Sequence, residues 1–448
     1  MKKLAHDTLR IIIYRRVESI YFTSLIQLLS YIDKKSKAFI FKRYHYIFLN
    51  KLQSEKKMKY YRREDCRLCN STNLTEVLSL TGTPWADDYR KKENLDKTQE
   101  IIPMDILQCE DCGHAQLTHV IDATEVYLNY TYETASTLGL GGHFEESANS
   151  IFELFSPKKD GLAVDIGSND GILLSHFKNK GMKVLGVDPM PGIAEKATSN
   201  GIPTIGDFFN TELAEKIKND HGAAAIITSN NLVADTDELT QFIEDIKILM
   251  NKESVFFFET FYLYLQIKNF VWDFTYHEHY SYFTVKPLTK YFKNLGLEII
   301  DVEPNLTKGG SMRCSLQLIN GKNEIQPSVD KFVKLEEEMG FPNKEVFREY
   351  SKKIDESKSY FINQINELTK NNKKIAAYGA SATSTTLIYH YEMGDYIEYI
   401  VDDFEVKQGL YSPGYKIPCY HPDKIYDCLL YTSPSPRDRT RSRMPSSA

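Results

Sequence analysis

No stretch of the 448 residues comes near the roughly 18 uninterrupted apolar residues that a membrane-spanning helix needs. The order of a signal peptide, a basic start before an apolar core and a small-residue cleavage site, is also missing. Cysteine is sparse, and seven residues in the whole chain are too few for a disulfide scaffold. With 42% hydrophobic and 26% charged residues, neither wholesale disorder nor a collagen-like repeat is tenable. A cytoplasmic protein without a transmembrane segment is expected. The length exceeds what one hydrophobic core organises, so two to four domains are expected.

Positive charge is scarce in the middle of the chain and gathered at its ends. Residues 1–57 hold thirteen Lys/Arg against four Asp/Glu, and residues 429–448 hold four Arg against one Asp. Taking both ends from the total of −6 leaves −18 for residues 58–428. The first segment contains IIIYRR and YFTSLIQLLSYI, which suit a basic amphipathic helix on an anionic membrane surface. The preferred alternative is translated upstream sequence before a start at Met58. The last segment, ending YTSPSPRDRTRSRMPSSA, reads as an adapter or vector scar, or else as a disordered basic tail. Neither end carries recognisable chemistry.

Four of the cysteines form two C-x-x-C pairs, Cys66 with Cys69 and Cys109 with Cys112, 39 residues apart. Each turn places two thiolates on one side of a metal, and two turns complete a tetrahedron. Gly113 separates Cys112 from His114, so the haem-attachment spacing is not met. Structural Zn2+ is expected, with all four positions filled by sulfur and none open for catalysis.

Residues 162–171, LAVDIGSNDG, read as a buried strand entering a glycine-rich turn, followed by a helix and a second strand ending at Asp188. An acidic residue there suits a ribose diol. The turn through Gly167, Asn169 and Gly171 lacks the G-x-G-x-x-G that rests a pyrophosphate on a helix N-terminus, which disfavours NAD and FAD. A cofactor without pyrophosphate, S-adenosylmethionine, fits better. Asp165 is placed near its methionine ammonium, Asp207 and Phe208 near its adenine, and Asn231 at the end of a fourth strand. The competing reading is an ordinary doubly wound domain whose glycine only tightens a corner.

Further on, VFFFET is a fifth strand, and NFVWDFTYHEHYSYFT crowds Tyr276, His277, Glu278, His279 and Tyr280 together. A neutral imidazole suits proton abstraction near neutral pH. The order H-E-H gives no H-E-x-x-H zincin pair. The segment LEIIDVEPNLTKGGSMRCSLQL then reads as a strand, a Gly-Gly turn and a returning strand carrying Arg313.

The paired C-x-x-C module, VDIGSNDG, FTYHEHYSYFT with KGGSMR, and YGASATSTTL with IVDDFEVKQG together resemble the three-domain sugar C-methyltransferases. The resemblance spans residues 62–425. It implies an α/β architecture: a small zinc-binding module, a class I methyltransferase Rossmann-like domain and a second Rossmann-like C-terminal domain. The corresponding division is 58–127, 128–325 and 326–428, flanked by the ends at 1–57 and 429–448. It implies S-adenosylmethionine and zinc as cofactors and a nucleotide-linked keto-sugar as substrate, methylated on the carbon beside its ketone through an enolate. His279 matches the family's base, Tyr276 and Glu278 its accompanying residues, and Tyr132 a further tyrosine, with Tyr130 as substitute. His277, Arg313, Gly379, Ser381 and Lys407 are the expected substrate contacts. The C-terminal turn lacks the lysine of the family's G-A-S-A-K-G, so phosphate contact would fall to backbone N–H groups, hydroxyls and Lys407. Two other functions compete with it: methyl transfer to oxygen or nitrogen of another small molecule, and a zinc-ribbon nucleic-acid module. The −18 charge opposes the second, so no nucleic-acid partner is expected.

Overall fold

The computed structural model describes residues 60–122, 126 and 140–427. The expectations for residues 1–57 and 429–448, and for Tyr130 and Tyr132, fall outside them.

The N-terminal module is built from short antiparallel strands. β1 (Tyr60–Arg62) pairs with β5 (His119–Ile121), while β2 (Leu74–Thr83), β3 (Ile102–Cys109) and β4 (Ala115–Leu117) form a sheet. In β2 the alternation of a half-buried strand is plain: Leu78 and Leu80 point inward and Ser79 and Thr81 do not. Each cysteine pair sits on a tight turn. Cys66 N–H bonds the carbonyl of Ser71 at 2.9 Å, and the β3–β4 turn closes through Gly113 N–H to the carbonyl of Cys109 at 2.8 Å.

The central domain is a seven-stranded sheet in the order β12-β13-β10-β9-β6-β7-β8. β6 (Leu162–Ile166), β7 (Lys183–Val187), β8 (Thr204–Ile205), β9 (Ile226–Asn230) and β10 (Val255–Phe261) run parallel. β12 (Leu297–Asn305) and β13 (Ser311–Leu318) form the expected antiparallel hairpin at one edge. β6 and β10 are buried along their whole length, as strands covered by helices on both faces must be. The helices are α1 (Leu140–Phe155), α2 (Ile172–Asn179), α3 (Pro191–Ser199), α4 (Thr211–His221), α5 (Leu239–Leu249), α6 (Leu263–Lys268) and α7 (Val285–Asn294). After β6 the chain moves one way to β7 and β8, then returns to β9 on the other side of β6. That reversal opens a crevice at the carboxyl ends of the strands.

One short strand belongs to both modules. β11 (Ser281–Tyr282), immediately after the H-E-H segment, pairs with β4 and becomes the edge of the N-terminal sheet. The third part begins with α8 (Pro327–Met339) and α9 (Glu345–Lys370), with Gly340 at φ +107° as the C-cap of α8. A parallel sheet of β14 (Ile375–Tyr378), β15 (Ile397–Val401) and β16 (Cys419–Tyr420) follows, with α10 (Ala382–His390) between its first two strands. No helix among the described residues is long and apolar enough to cross a membrane.

Candidate active site and metal site

The four sulfurs of Cys66, Cys69, Cys109 and Cys112 all lie within 4.8 Å of one another, with Cys66–Cys112 and Cys69–Cys109 at 3.5 Å. A tetrahedral Zn–S bond of about 2.3 Å requires sulfurs roughly 3.8 Å apart, so the set fits Zn2+. A four-sulfur shell leaves no position for substrate. The turn also grips the rest of the protein. Buried Arg67, between the first two cysteines, donates to the carbonyls of Tyr280 at 3.1 Å and Leu117 at 3.3 Å and pairs with Asp237 at 3.0 Å.

A cavity of about 480 Å³ occupies the crevice of the central sheet. Asp165, Gly167, Asn169, Asp188, Asp207, Phe208 and Asn231 line one part of it, and Tyr276, Glu278 and His279 another. Gly171 does not line it but closes the turn that does. It sits at φ +78°, where a Cβ would lie 2.9 Å from the side chain of Ile202. Asp188, at the end of β7, accepts from the backbone N–H groups of Asn169 at 2.9 Å and Met190 at 3.0 Å. Each carboxylate oxygen keeps a second lone pair, so a diol can still bind. Asp165 accepts the Thr228 hydroxyl at 2.7 Å, and its burial pushes the carboxyl up to about 7. Two strand-end carboxylates, a glycine turn and a half-exposed phenylalanine are the donor set that an adenosyl cation with an ammonium group requires. Among the described residues, this end of the cavity therefore fits S-adenosylmethionine.

At the other end, His279 Nδ1 lies 2.7 Å from the carbonyl oxygen of Phe274. That oxygen can only accept, so Nδ1 carries the proton and Nε2 keeps its lone pair. Tyr276 and Phe261 hold the ring, with centroids at 3.9 and 4.3 Å. Burial, with the charge of Lys308 adding to it, drops the imidazole to about 3, so it is neutral at physiological pH. Glu278 Oε1 accepts the Trp85 indole N–H at 2.8 Å, and burial, reinforced by Asp87, pushes Glu278 up to about 7.

None of the five expected substrate contacts is among the residues that line this cavity. His277 is fully buried with Nε2 bonded to the carbonyl of Ile102 at 3.2 Å, because alternate residues of the segment point to opposite sides. Arg313 is buried on β13, bonded to Glu303 at 2.8 Å and the Ser147 hydroxyl at 2.5 Å, and lies 3.4 Å from Glu259. Lys407 is buried against Asp87 at 2.6 Å and over the Tyr89 ring at 4.4 Å. The turn at Gly379 and Ser381 has already satisfied itself. Ala380 N–H goes to Asp402 at 2.5 Å, and Ser381 and Ser384 form a reciprocal capping box. The amides of Ala380, Ser381 and Ser384 are thereby engaged within the turn.

Sequence reasoning missed Trp85, Asp235 and Lys308. Asp235 and Lys308 line the cavity beside Glu278, and Asp235 Oδ1 is buried without a hydrogen-bond partner among the described residues. Lys308 stands directly before the Gly-Gly turn, a signal that was available. Trp85 had none.

Three family models match the chain: "Putative zinc binding domain" over residues 66–127, "Methyltransferase domain" over residues 143–302, and "C-methyltransferase C-terminal domain" over residues 306–428. The C-methyltransferase NovU of Streptomyces niveus is 26% identical over 362 residues, covering 81% of this chain and 86% of that one. Among solved structures, magnesium protoporphyrin IX methyltransferase of Synechocystis PCC 6803 with bound SAM is 11% identical, covering 44% of this chain and 89% of that one at a TM-score of 0.31. A Pyrococcus horikoshii protein is 14% identical, covering 43% and 98% at 0.35.

Proposed function

Because the chain belongs to the three-domain S-adenosylmethionine-dependent C-methyltransferases, we propose that it methylates a nucleotide-linked keto-deoxysugar on the carbon beside its ketone, with His279 as the base. The observation that carries this reading is the Phe274–His279 hydrogen bond, which leaves Nε2 unprotonated in the cavity that also holds the strand-end carboxylates. The domain division at 58–127, 128–325 and 326–428 belongs to the same proposal, as does a cytoplasmic location, where nucleotide sugars are made.

S-adenosylmethionine, when bound, supplies a methyl group made electrophilic by its sulfonium. Asp188 would hold its ribose hydroxyls, Asp165 its ammonium, and Phe208 would pack on its adenine. A hydrogen on carbon next to a ketone is acidic because the charge left behind spreads onto oxygen. His279 Nε2 removes it, and the Phe274 carbonyl, which already holds Nδ1–H, steadies the imidazolium. Such general-base assistance is worth about 10²–10⁴ in rate. Holding the reacting carbon against the bound cofactor would supply much of the remainder. Tyr276 and Glu278 flank the base and fix the sugar's orientation. Zinc takes no part in the reaction; it holds the module from which Trp85 and Arg67 reach the His277–Tyr280 segment.

The test is incubation with methyl-labelled S-adenosylmethionine and a panel of nucleotide-linked keto-deoxyhexoses, with mass and carbon-position analysis of the product. A new methyl on a ring carbon supports the proposal. A methyl on oxygen or nitrogen, or no product from any member while another small molecule is methylated, overturns it.

A further inference from the structure

Among the described residues lining the cavity, Lys308 is the single lysine or arginine, set against eight Asp and Glu side chains. No hydrogen bond or ion pair ties its ammonium to another described residue. Burial lowers its ammonium from the ordinary lysine value, while the carboxyls of Asp235, Glu259 and Glu278, within electrostatic reach, oppose that shift, and its charge also reaches His279.

The backbone that carries it is strained in a particular direction. Lys308 has φ 51° and ψ 31°, the left-handed region that a residue with a Cβ enters only at a cost. Gly310 follows at φ +147°, where a Cβ would fall 2.6 Å from that of Leu265. The turn is anchored from beneath: Asn305 Nδ2 donates to Glu259 at 3.0 Å and the Thr307 hydroxyl donates to it at 3.2 Å. Burial alone would raise Glu259, but His143, bonded at 2.8 Å, and the charge of Arg313 hold it below the ordinary carboxylate value. Arg313, expected to touch substrate, instead braces the carboxylate on which the lysine's turn is built.

A chemical need matches this placement. A base buried deeply enough to stay neutral is a weak one, so the carbon acid it meets must be made stronger. A cation at the ketone oxygen does that, because the charge released by deprotonation appears on that oxygen.

We propose that Lys308 is a catalytic residue whose ammonium donates a hydrogen bond to the substrate's ketone oxygen and holds the negative charge that develops there. The inference rests on the C-methylation reading above. As the C–H bond breaks, its proton goes to His279 Nε2 and its electron pair forms the C=C bond, while the carbonyl π pair moves onto oxygen against Lys308. In the second step that pair returns to re-form the carbonyl, and the C=C pair makes the new C–C bond as the methyl–sulfur bond breaks with its electrons staying on sulfur. Asp235 and Glu278, each raised by burial, flank the lysine and favour its charged form without touching the reacting atoms.

The experiment uses the full chain, a dTDP-linked 4-keto-6-deoxyhexose in D2O, and S-adenosylhomocysteine in the cofactor site. Exchange of the proton beside the ketone is read by NMR, and methyl transfer is measured separately with S-adenosylmethionine. Lys308→Met should slow both by about 10²–10³ at saturating substrate, with cofactor affinity in calorimetry unchanged. Lys308→Arg should recover part of the loss. Exchange at the wild-type rate in Lys308→Met overturns the proposal, and so does a loss confined to substrate affinity, which would assign the lysine to the sugar nucleotide's phosphates. A wild type that methylates carbon beside an unimpaired Lys308→Met removes Lys308 alone; a wild type that methylates oxygen removes the reading beneath it as well.

Discussion

The indole N–H of Trp85 donates to Glu278 Oε1 at 2.8 Å, joining the N-terminal module to the residue beside the base. The two residues after Trp85 are held from the C-terminal domain. The Thr385 hydroxyl donates to the carbonyl of Ala86 at 2.7 Å, and Lys407 pairs with Asp87 at 2.6 Å. Three consecutive residues thus carry a load from the third domain, through the first, to the site in the second.

Trp85→Phe removes one hydrogen bond to a carboxylate, worth about 1.5–3 kcal/mol. With S-adenosylmethionine saturating, turnover should fall about tenfold to a hundredfold. The indole N–H lowers a Glu278 carboxyl that burial has lifted to about 7. Without it, the acidic limb of the pH–rate profile should move to higher pH. A change in turnover with the limb unmoved would mean that Trp85 only packs.

Lys407→Met should act from a distance in the same direction, because it frees Asp87 and loosens the segment that presents Trp85. Its loss should appear in turnover with the affinity for nucleotide alone unchanged. A weakened nucleotide affinity would restore Lys407 to the phosphate-binding role that its burial against Asp87 argues against.

Cofactor binding should depend on pH through Asp165. Its carboxyl is lifted to about 7 by burial, so below that pH it is protonated and cannot pair with an ammonium. Calorimetric affinity for S-adenosylmethionine should weaken about tenfold per pH unit below 7, and Asp165→Asn should bind weakly with a flat profile. The sign for the cofactor-free fold is opposite. A raised carboxyl favours folding below its unfolded value of 3.8, and that contribution is lost as pH rises through 7. The fall in melting temperature between about pH 4 and 7 should therefore be smaller in Asp165→Asn.

Removal of the metal should cost activity although no step uses it. Cys109→Ser with Cys112→Ser should abolish bound zinc in elemental analysis, unfold the β2–β4 module and release the grip of Arg67 on Tyr280. Wild-type protein purified without any metal would contradict the zinc assignment.

What could be read from the sequence was local. The cysteine spacing, the LAVDIGSNDG turn and the Y-H-E-H segment are each short; the four sulfurs meet, and the strand-end carboxylates share a cavity with Tyr276, Glu278 and His279, while His277 turns away. Long-range polar partners could not be read. Nothing in the residues around Lys407 announces Asp87, 320 positions away, and nothing in Ser381 shows that Ser384 already fills its amide. Arg313 lies just after a Gly-Gly turn in the sequence, yet its side chain is buried on a strand and bonded to Glu303 and Ser147. The crossing of β11 into the N-terminal sheet was hidden for the same reason, since two residues carry no strand pattern.

The most direct measurement is transfer of a ¹³C-labelled methyl to a nucleotide-linked keto-deoxyhexose by wild-type protein and by His279→Ala, with the product read by NMR. Wild type should give a carbon-bound methyl beside the ketone, and His279→Ala should be slower by about 10²–10⁴ with S-adenosylmethionine affinity unchanged. A methyl on oxygen or nitrogen in the wild-type product, or undiminished transfer by His279→Ala, would contradict the assignment.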